Sequence, residues 1–147
     1  ETIEFYRLLS TWVIDRSKYG NEPEKKNQIF NVFVANLKAL HGQIASETAG
    51  ETAADVRYRE LLLARLENEL GNNLTFVPGV PAEDIYRHLD HSLALKEKYD
   101  DKVGQAITWG LRGNYSFFNR QDAEMALENW SKSYPSKSPS GLRVIGR

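Results

Sequence analysis

The chain has no cysteine among its 147 residues, and this absence removes several classes of protein at once. Disulfide-stapled scaffolds, thiolate zinc sites and cysteine nucleophiles all require that side chain. The chain also has no apolar run near the roughly 20 residues that cross a bilayer, so we expect no membrane-spanning helix and no membrane partner.

An excess of charge of either sign is also missing, because 19 basic residues oppose 20 acidic ones. A free-standing DNA-binding domain usually carries a clear basic excess. Any contact with nucleic acid must therefore come from a local patch. The 41% hydrophobic and 27% charged contents are typical of a folded globular chain that buries one core.

Recognisable catalytic groupings are missing as well. Ser10 and Ser17 have no accompanying histidine and aspartate pattern, no carboxylate pair lies in an apolar stretch, and no phosphate-binding loop occurs. We therefore predict that the chain is not an enzyme and that it needs no cofactor.

One stripe of possible metal ligands is present. Asp84, His88 and His91 are spaced by four and three residues, which places them on one face of a helix. The sequence points to no further ligand, so we predict solvated histidines and no metal site.

The spacing of apolar residues predicts an all-α, single-domain four-helix bundle with a short fifth helix. We expect a mobile loop at residues 42–54, a helix end at Gly71, and an extended linker at residues 74–81. The helical domain covers residues 1–130, and a Ser/Pro-rich basic tail covers residues 131–147. The predicted helices are 3–17, 23–40, 53–70, one long helix from about residue 82 to 111 that breaks at Gly113, and a short helix within 117–130.

Most of the functional signal lies in the segment 96–101 and in the residues that follow Arg112. The mixed charges of residues 96–101 indicate either a solvated, salt-bridged face or a surface where acids orient a basic side chain toward a phosphate. The aromatic pair Phe117 and Phe118 closes the end of the bundle or forms a subunit interface. Phe30 and Phe33 lie on a second helix that is apolar on more than one face, which indicates a core position or a subunit contact.

Four segments, taken in order, resemble the coat proteins of rod-shaped plant RNA viruses of the tobacco mosaic virus type, over roughly residues 5–130. In this chain, Lys98 stands where that family has Arg, and Ala123 stands where it has Phe. The segments that carry the resemblance are Leu8-Leu9-Ser10-Thr11-Trp12, Val56-Arg57-Tyr58-Arg59 through Leu70-Gly71, Lys98-Tyr99-Asp100-Asp101 with Ala106-Ile107, and Arg112-Gly113 with Asn119-Arg120, Glu124 and Trp130.

The resemblance implies a structural capsid protein that assembles with itself around single-stranded RNA into a helical virion in the host cytoplasm. It implies phosphate contacts from basic groups, oriented by acids, with little reading of base sequence. The implied RNA-binding residues are Lys98, Asp100, Asp101, Arg112, Asn119 and Arg120. The implied subunit-interface residues are Phe30, Phe33, Phe117 and Phe118.

A second resemblance leads to a different class of function. One set of residues follows the spacing of cathepsin-type inhibitory propeptides, although Ile29 stands where that family has an arginine. The alternative hypothesis is therefore a monomeric helical module that binds a protein, such as a protease inhibitor. The residues of this set are Trp12, Lys18, Phe30, Val32, Phe33, Asn36 and Leu40.

Overall fold

A computed structural model describes residues 2–47 and 50–133, and these residues form a single all-α domain without a strand. The predicted fold class is confirmed. Within the described residues there are six α-helices and one π-helical turn: α1 (Thr2–Tyr19), α2 (Pro23–Ser46), α3 (Ala53–Leu74), α4 (Ala82–Lys98), α5 (Lys102–Asn114), the π turn (Tyr115–Asn119) and α6 (Ala123–Ser133).

The predicted long fourth helix is in fact two helices, α4 and α5. Asp100 has a φ of 54°, in the left-handed region that Asp adopts more readily than most residues, and this conformation ends α4. The side chain of Asp101 then accepts a hydrogen bond from the backbone N–H of Gly104 at 2.9 Å and caps α5. The two adjacent aspartates therefore create a corner in the bundle.

Three further boundaries differ from the prediction. α2 continues to Ser46, into the stretch predicted as a loop, and residues 75–79 form turns rather than an extended linker. Gly71 does not end α3 but lies buried within it, because a Cβ there would lie 2.8 Å from the side chain of Leu89 on α4. Close packing between α3 and α4 explains a glycine in that place.

The predicted short fifth helix is replaced by the π turn and α6, which extends to Ser133. The helix therefore enters the predicted tail by three residues. The rest of that tail, residues 134–147, lies outside the described residues.

The core has two parts, and α3 contributes to both. Leu66 and Leu70 of α3 belong to the larger part with Phe5 of α1 and Leu37 of α2. Leu74, at the end of α3, packs in the smaller part with residues of α4 and the π turn. The extensive helix contacts all join neighbours in the chain: α1 with α2, α2 with α3, α3 with α4, α4 with α5, and α5 with α6.

No helix in the described ranges combines the length and the apolar character that crossing a bilayer requires.

Gly113 and Gly42 provide a matched test of this packing. A Cβ on Gly113 would overlap the indole ring of Trp130, whereas a Cβ on Gly42 would meet no atom within 4 Å. We expect Gly113→Ala to lower the free energy of unfolding by about 1–3 kcal/mol, because overpacking outweighs the gain in helix propensity. Gly42→Ala should raise it by about 0.5–1 kcal/mol. Urea unfolding of both variants measures the difference, and equal shifts would contradict the α5–α6 contact.

Candidate functional site

The charges at the corner between α4 and α5 are paired with their neighbours. Lys98 Nζ donates to both carboxylate oxygens of Glu60 at 2.9 and 3.0 Å, and this hydrogen bonding raises the pKa of Lys98. Asp100 pairs with Lys102 at 3.0 Å, and Asp101 caps α5. Lys98 is still largely exposed, so it remains accessible from solvent.

Two cations lie near one aromatic ring, that of Tyr99, at the same corner. The guanidinium carbon of Arg57, on the first turns of α3, lies 5.7 Å from the ring centroid of Tyr99, and Lys98 Nζ lies 5.3 Å from it. Both distances are within the range of a cation–π interaction. Arg57 and Lys98 therefore form a small basic surface around Tyr99, which the sequence had indicated only through the Arg-Tyr-Arg segment at the start of α3.

Arg112 is held inside the bundle by three partners. Its Nε donates to Asp90 at 3.0 Å, its Nη1 donates to Asn129 at 3.1 Å, and its guanidinium lies 4.5 Å from the ring centroid of Tyr86. The side chain is mostly buried. Arg112 therefore links α4, α5 and α6, and any contact with RNA would compete with these bonds.

The predicted RNA-binding residues form two groups rather than one. Lys98, Asp100 and Asp101 lie at the start of α5, whereas the exposed residues Asn119 and Arg120 lie beyond its end. The 13 residues of α5 span about 20 Å. The side chain of Asn119 donates to the backbone oxygen of Thr75 at 3.3 Å and so lies against the turn after α3.

The four predicted interface residues differ in their exposure to solvent. Phe33 is 4% exposed and stacks on Trp12, with ring centroids 5.1 Å apart, so it is a core residue that presents no surface to a partner. Phe30 is half-buried beside the same tryptophan. Phe117 and Phe118 are exposed, and Phe117 packs on Trp130.

A buried carboxylate that the sequence did not indicate collects all three histidines of the chain. Glu67 of α3 is joined to His41 Nε2 of α2 at 2.8 Å, to His88 Nδ1 of α4 at 2.5 Å, and to His91 Nδ1 at 3.6 Å. The predicted stripe on α4 is therefore only partly solvated, because His88 is half-buried against Glu67 while His91 remains exposed. Asp84 pairs with Arg87 instead. Among the described residues, no group of side chains has the arrangement needed to hold a metal ion.

The environment of Glu67 determines its charge. Burial by itself would raise its pKa, but the hydrogen bonds with His41 and His88, together with the charges of those rings, lower the pKa from 4.5 to about 2. The carboxylate is therefore ionised at neutral pH and holds α2 and α4 to α3.

A second buried polar group lies where α3, α4 and α5 meet. Lys96 Nζ donates to Thr108 Oγ1 at 2.7 Å, and the carboxamide oxygen of Asn68 lies 3.5 Å away. Burial lowers the pKa of Lys96 to about 8, although nearby Asp101 opposes that shift. Of the residues 96–101, for which the sequence left a solvated face and a phosphate-facing surface open, Lys96 belongs to neither surface, because its side chain is buried against α5.

No known family matches this chain, and neither a curated protein nor a solved structure shows significant similarity to it. An inference of function therefore depends on the surfaces and cavities of the chain itself.

The Glu67 cluster predicts a specific dependence of stability on pH. A carboxylate whose pKa is lower in the folded state stabilises the fold above its unfolded pKa, and this stabilisation is lost as pH falls. We expect a loss of roughly 3 kcal/mol between about pH 4.5 and pH 2, since each pKa unit is worth about 1.4 kcal/mol.

Glu67→Gln should therefore be less stable than the native chain at pH 7 and should lose most of this acid dependence. Urea unfolding at pH 7, 4 and 3 measures both effects. Glu128→Gln is the control, because Glu128 is exposed and forms only a 3.5 Å ion pair with Lys132. If the Glu67 and Glu128 variants show the same pH profile, the histidine cluster does not stabilise the fold.

Proposed function

We propose that this chain is the subunit of a self-assembling coat that packs single-stranded RNA in a helical array. The observation that carries the proposal is the presence of exposed apolar side chains on two separate parts of the domain. Large contiguous apolar patches on a protein surface mark interaction sites.

The first surface, which we call the α1 stripe, consists of Ile3, Tyr6, Val13 and Ile14. These residues follow helical spacing along the side of α1 away from the core, and Ile3 is 83% exposed. α1 packs on α2 and directs its buried residue Phe5 to the core. None of the described residues covers the α1 stripe, and in the proposed array a second copy buries it.

The second surface, which we call the C-terminal patch, consists of Phe117, Phe118, Leu127 and Trp130. Phe117 contacts both Phe118 and Trp130, with ring centroids 5.0 and 5.4 Å apart. Leu127 precedes Trp130 by three residues and so lies beside it on α6. Phe118 and Leu127 are 72% and 65% exposed.

Two different apolar surfaces favour head-to-tail association. When the α1 stripe of one copy meets the C-terminal patch of the next, the assembly keeps one free surface at each of its two ends and can grow further. Such heterologous contacts produce open helical arrays unless the rotation closes a ring. The near-neutral charge of the subunit suits an array, because many copies with one sign of charge would repel each other.

The basic surface around Tyr99 supports the RNA part of the proposal. Arg57 and Lys98 can reach phosphates, and Tyr99 together with the exposed Tyr58 offers rings on which bases can stack. Contacts of this kind bind RNA with little preference for sequence.

The groove between α1 and α2 favours the alternative, a monomeric module that binds a protein. Leu8, Trp12, Ile29 and Val32 line this groove, and Val32 is exposed. A protein of this kind would remain a monomer and bind no RNA. Inhibition of a papain-like protease by such a monomer, lost on Val32→Asp, would support the alternative.

The RNA contact can be tested with a pair of basic residues and a matched control. We expect Arg57→Ala with Lys98→Ala to weaken binding of a single-stranded RNA oligonucleotide. The slope of log K against log salt should become shallower by about 0.7 for each phosphate contact that is lost. Lys38→Ala, an exposed lysine on α2, should change neither quantity. Fluorescence anisotropy at several salt concentrations measures both, and identical slopes for all proteins would remove the Tyr99 surface from the RNA contact.

The head-to-tail contact can be tested by mixing two variants. Ile14→Ser damages the α1 stripe, and Leu127→Ser damages the C-terminal patch, so we expect neither variant to form long arrays alone. Each variant still carries one intact surface, so an equimolar mixture should form a 1:1 dimer and no larger particle. Sedimentation velocity and negative-stain microscopy distinguish these states. Long arrays from either variant alone would contradict the proposed contact.

A further inference from the structure

A cavity of about 280 Å³ lies between the turn after α3 and the end of α5 with its π turn. Leu89 and Leu111 form part of its apolar wall. Its volume is just below the roughly 300 Å³ at which pockets for drug-sized ligands begin. The cavity therefore suits a single ring system rather than a large ligand.

Two strongly exposed aromatic rings of the described residues line this cavity. Phe76 is 70% exposed and Phe118 is 72% exposed, and both belong to the cavity wall. Each ring meets a second ring edge-on: Phe76 meets Phe30 with centroids 6.4 Å apart, and Phe118 meets Phe117. Rings that are held in place and open to solvent are suitable platforms for stacking a planar ligand.

Three carboxamides provide polar groups in the same cavity: Asn72, Asn114 and Asn119. The side-chain oxygen of Asn114 accepts a hydrogen bond from Trp130 Nε1 at 3.0 Å, so its NH₂ group is the part left to donate. The NH₂ group of Asn119 donates to the backbone of Thr75, so its oxygen is left to accept. Adjacent donors and acceptors are the groups that pair with the edge of a nucleobase.

The charge around the cavity suits a nucleotide. Among the described residues, none of the side chains that line it is acidic, in contrast to the paired carboxylates at the α4–α5 corner. Arg120 follows the π turn directly and is exposed. Its backbone N–H donates to the backbone oxygen of Tyr115, which lines the cavity, at 3.2 Å. A guanidinium in this place can contact the phosphate of a nucleotide whose base enters the cavity.

We propose that this cavity binds one unpaired nucleobase of single-stranded RNA, stacked on Phe76, with the adjacent phosphate on Arg120. Phe118 belongs to the C-terminal patch, which the next copy covers in the proposed array, so Phe76 is the ring that stays open to a base. The inference rests on the proposed function and adds a base-contacting site about one helix length from the Tyr99 surface. It also assigns Asn119 and Arg120 to a site separate from that of Lys98.

The experiment uses the full chain and an RNA oligonucleotide that contains 2-aminopurine, whose fluorescence falls when the base stacks. A ribose-phosphate chain of the same length without bases is the second probe. We expect the native chain to quench 2-aminopurine and to bind the RNA more tightly than the abasic chain. Phe76→Leu should weaken RNA binding about 5- to 100-fold, as expected for the loss of stacking, and should leave abasic binding unchanged.

Tyr19→Leu is the matched control, because Tyr19 is a ring at the end of α1 that belongs neither to the cavity nor to the Tyr99 surface. If Tyr19→Leu and Phe76→Leu act alike, or if the abasic chain binds as tightly as the RNA, the cavity is not a base site. A Phe76→Leu variant that fails to assemble without RNA would assign the cavity to a subunit contact instead and would also overturn the inference.

These outcomes separate the cavity from the proposed function. If the native chain forms arrays and binds RNA without dependence on the bases, the proposed function survives and the base site does not. If the native chain binds neither probe, both fail.

Discussion

The fold depends on one buried negative charge that must be neutralised from two sides. Glu67 lies on α3, the helix packed between α2 and α4, and its carboxylate meets imidazoles from both. An unpaired carboxylate in this place would cost several kcal/mol, so the two neighbouring helices can adopt only arrangements that bring His41 and His88 to it. The apolar contacts along α3 supply most of the stabilisation, and the Glu67 cluster selects one relative position of the three helices.

Some basic side chains are bonded inside the bundle, and others remain open to a ligand in solvent. Arg112 and Lys96 are occupied by partners inside the bundle, whereas Arg57, Lys98 and Arg120 reach solvent. A formal charge near zero thus conceals two small basic areas, one at each end of α5. In the proposed array, a subunit would meet RNA at these areas without carrying a net charge that would oppose its own association.

The fold class could be predicted from the sequence because apolar spacing alone identifies long amphipathic helices. The break between α4 and α5 could not, since Leu95, Tyr99, Val103 and Ile107 continue a four-residue spacing across it. The available signal was the capping pattern of Asp101 and Gly104. The sequence of Gly71 and its neighbours predicted a helix end. The true reason for this glycine is its packing against Leu89, a residue 18 positions away, which local sequence does not show. The site shows the same limit. The sequence left open whether Phe33 and Phe118 lie in the core or at an interface, and the burial of Phe33, the exposure of Phe118 and the partners of Glu67 all depend on tertiary packing.

The order of the helix contacts has a consequence for how the chain is made. Because the extensive contacts join neighbouring helices, most native interactions close short loops, and chains with such local contacts fold quickly. The first three helices already contain the larger apolar cluster, so this part can form while the remaining helices are still being synthesised. If the chain assembles as we propose, its apolar surfaces would thereby be presented on a folded domain, and seldom on an unfolded intermediate that aggregates.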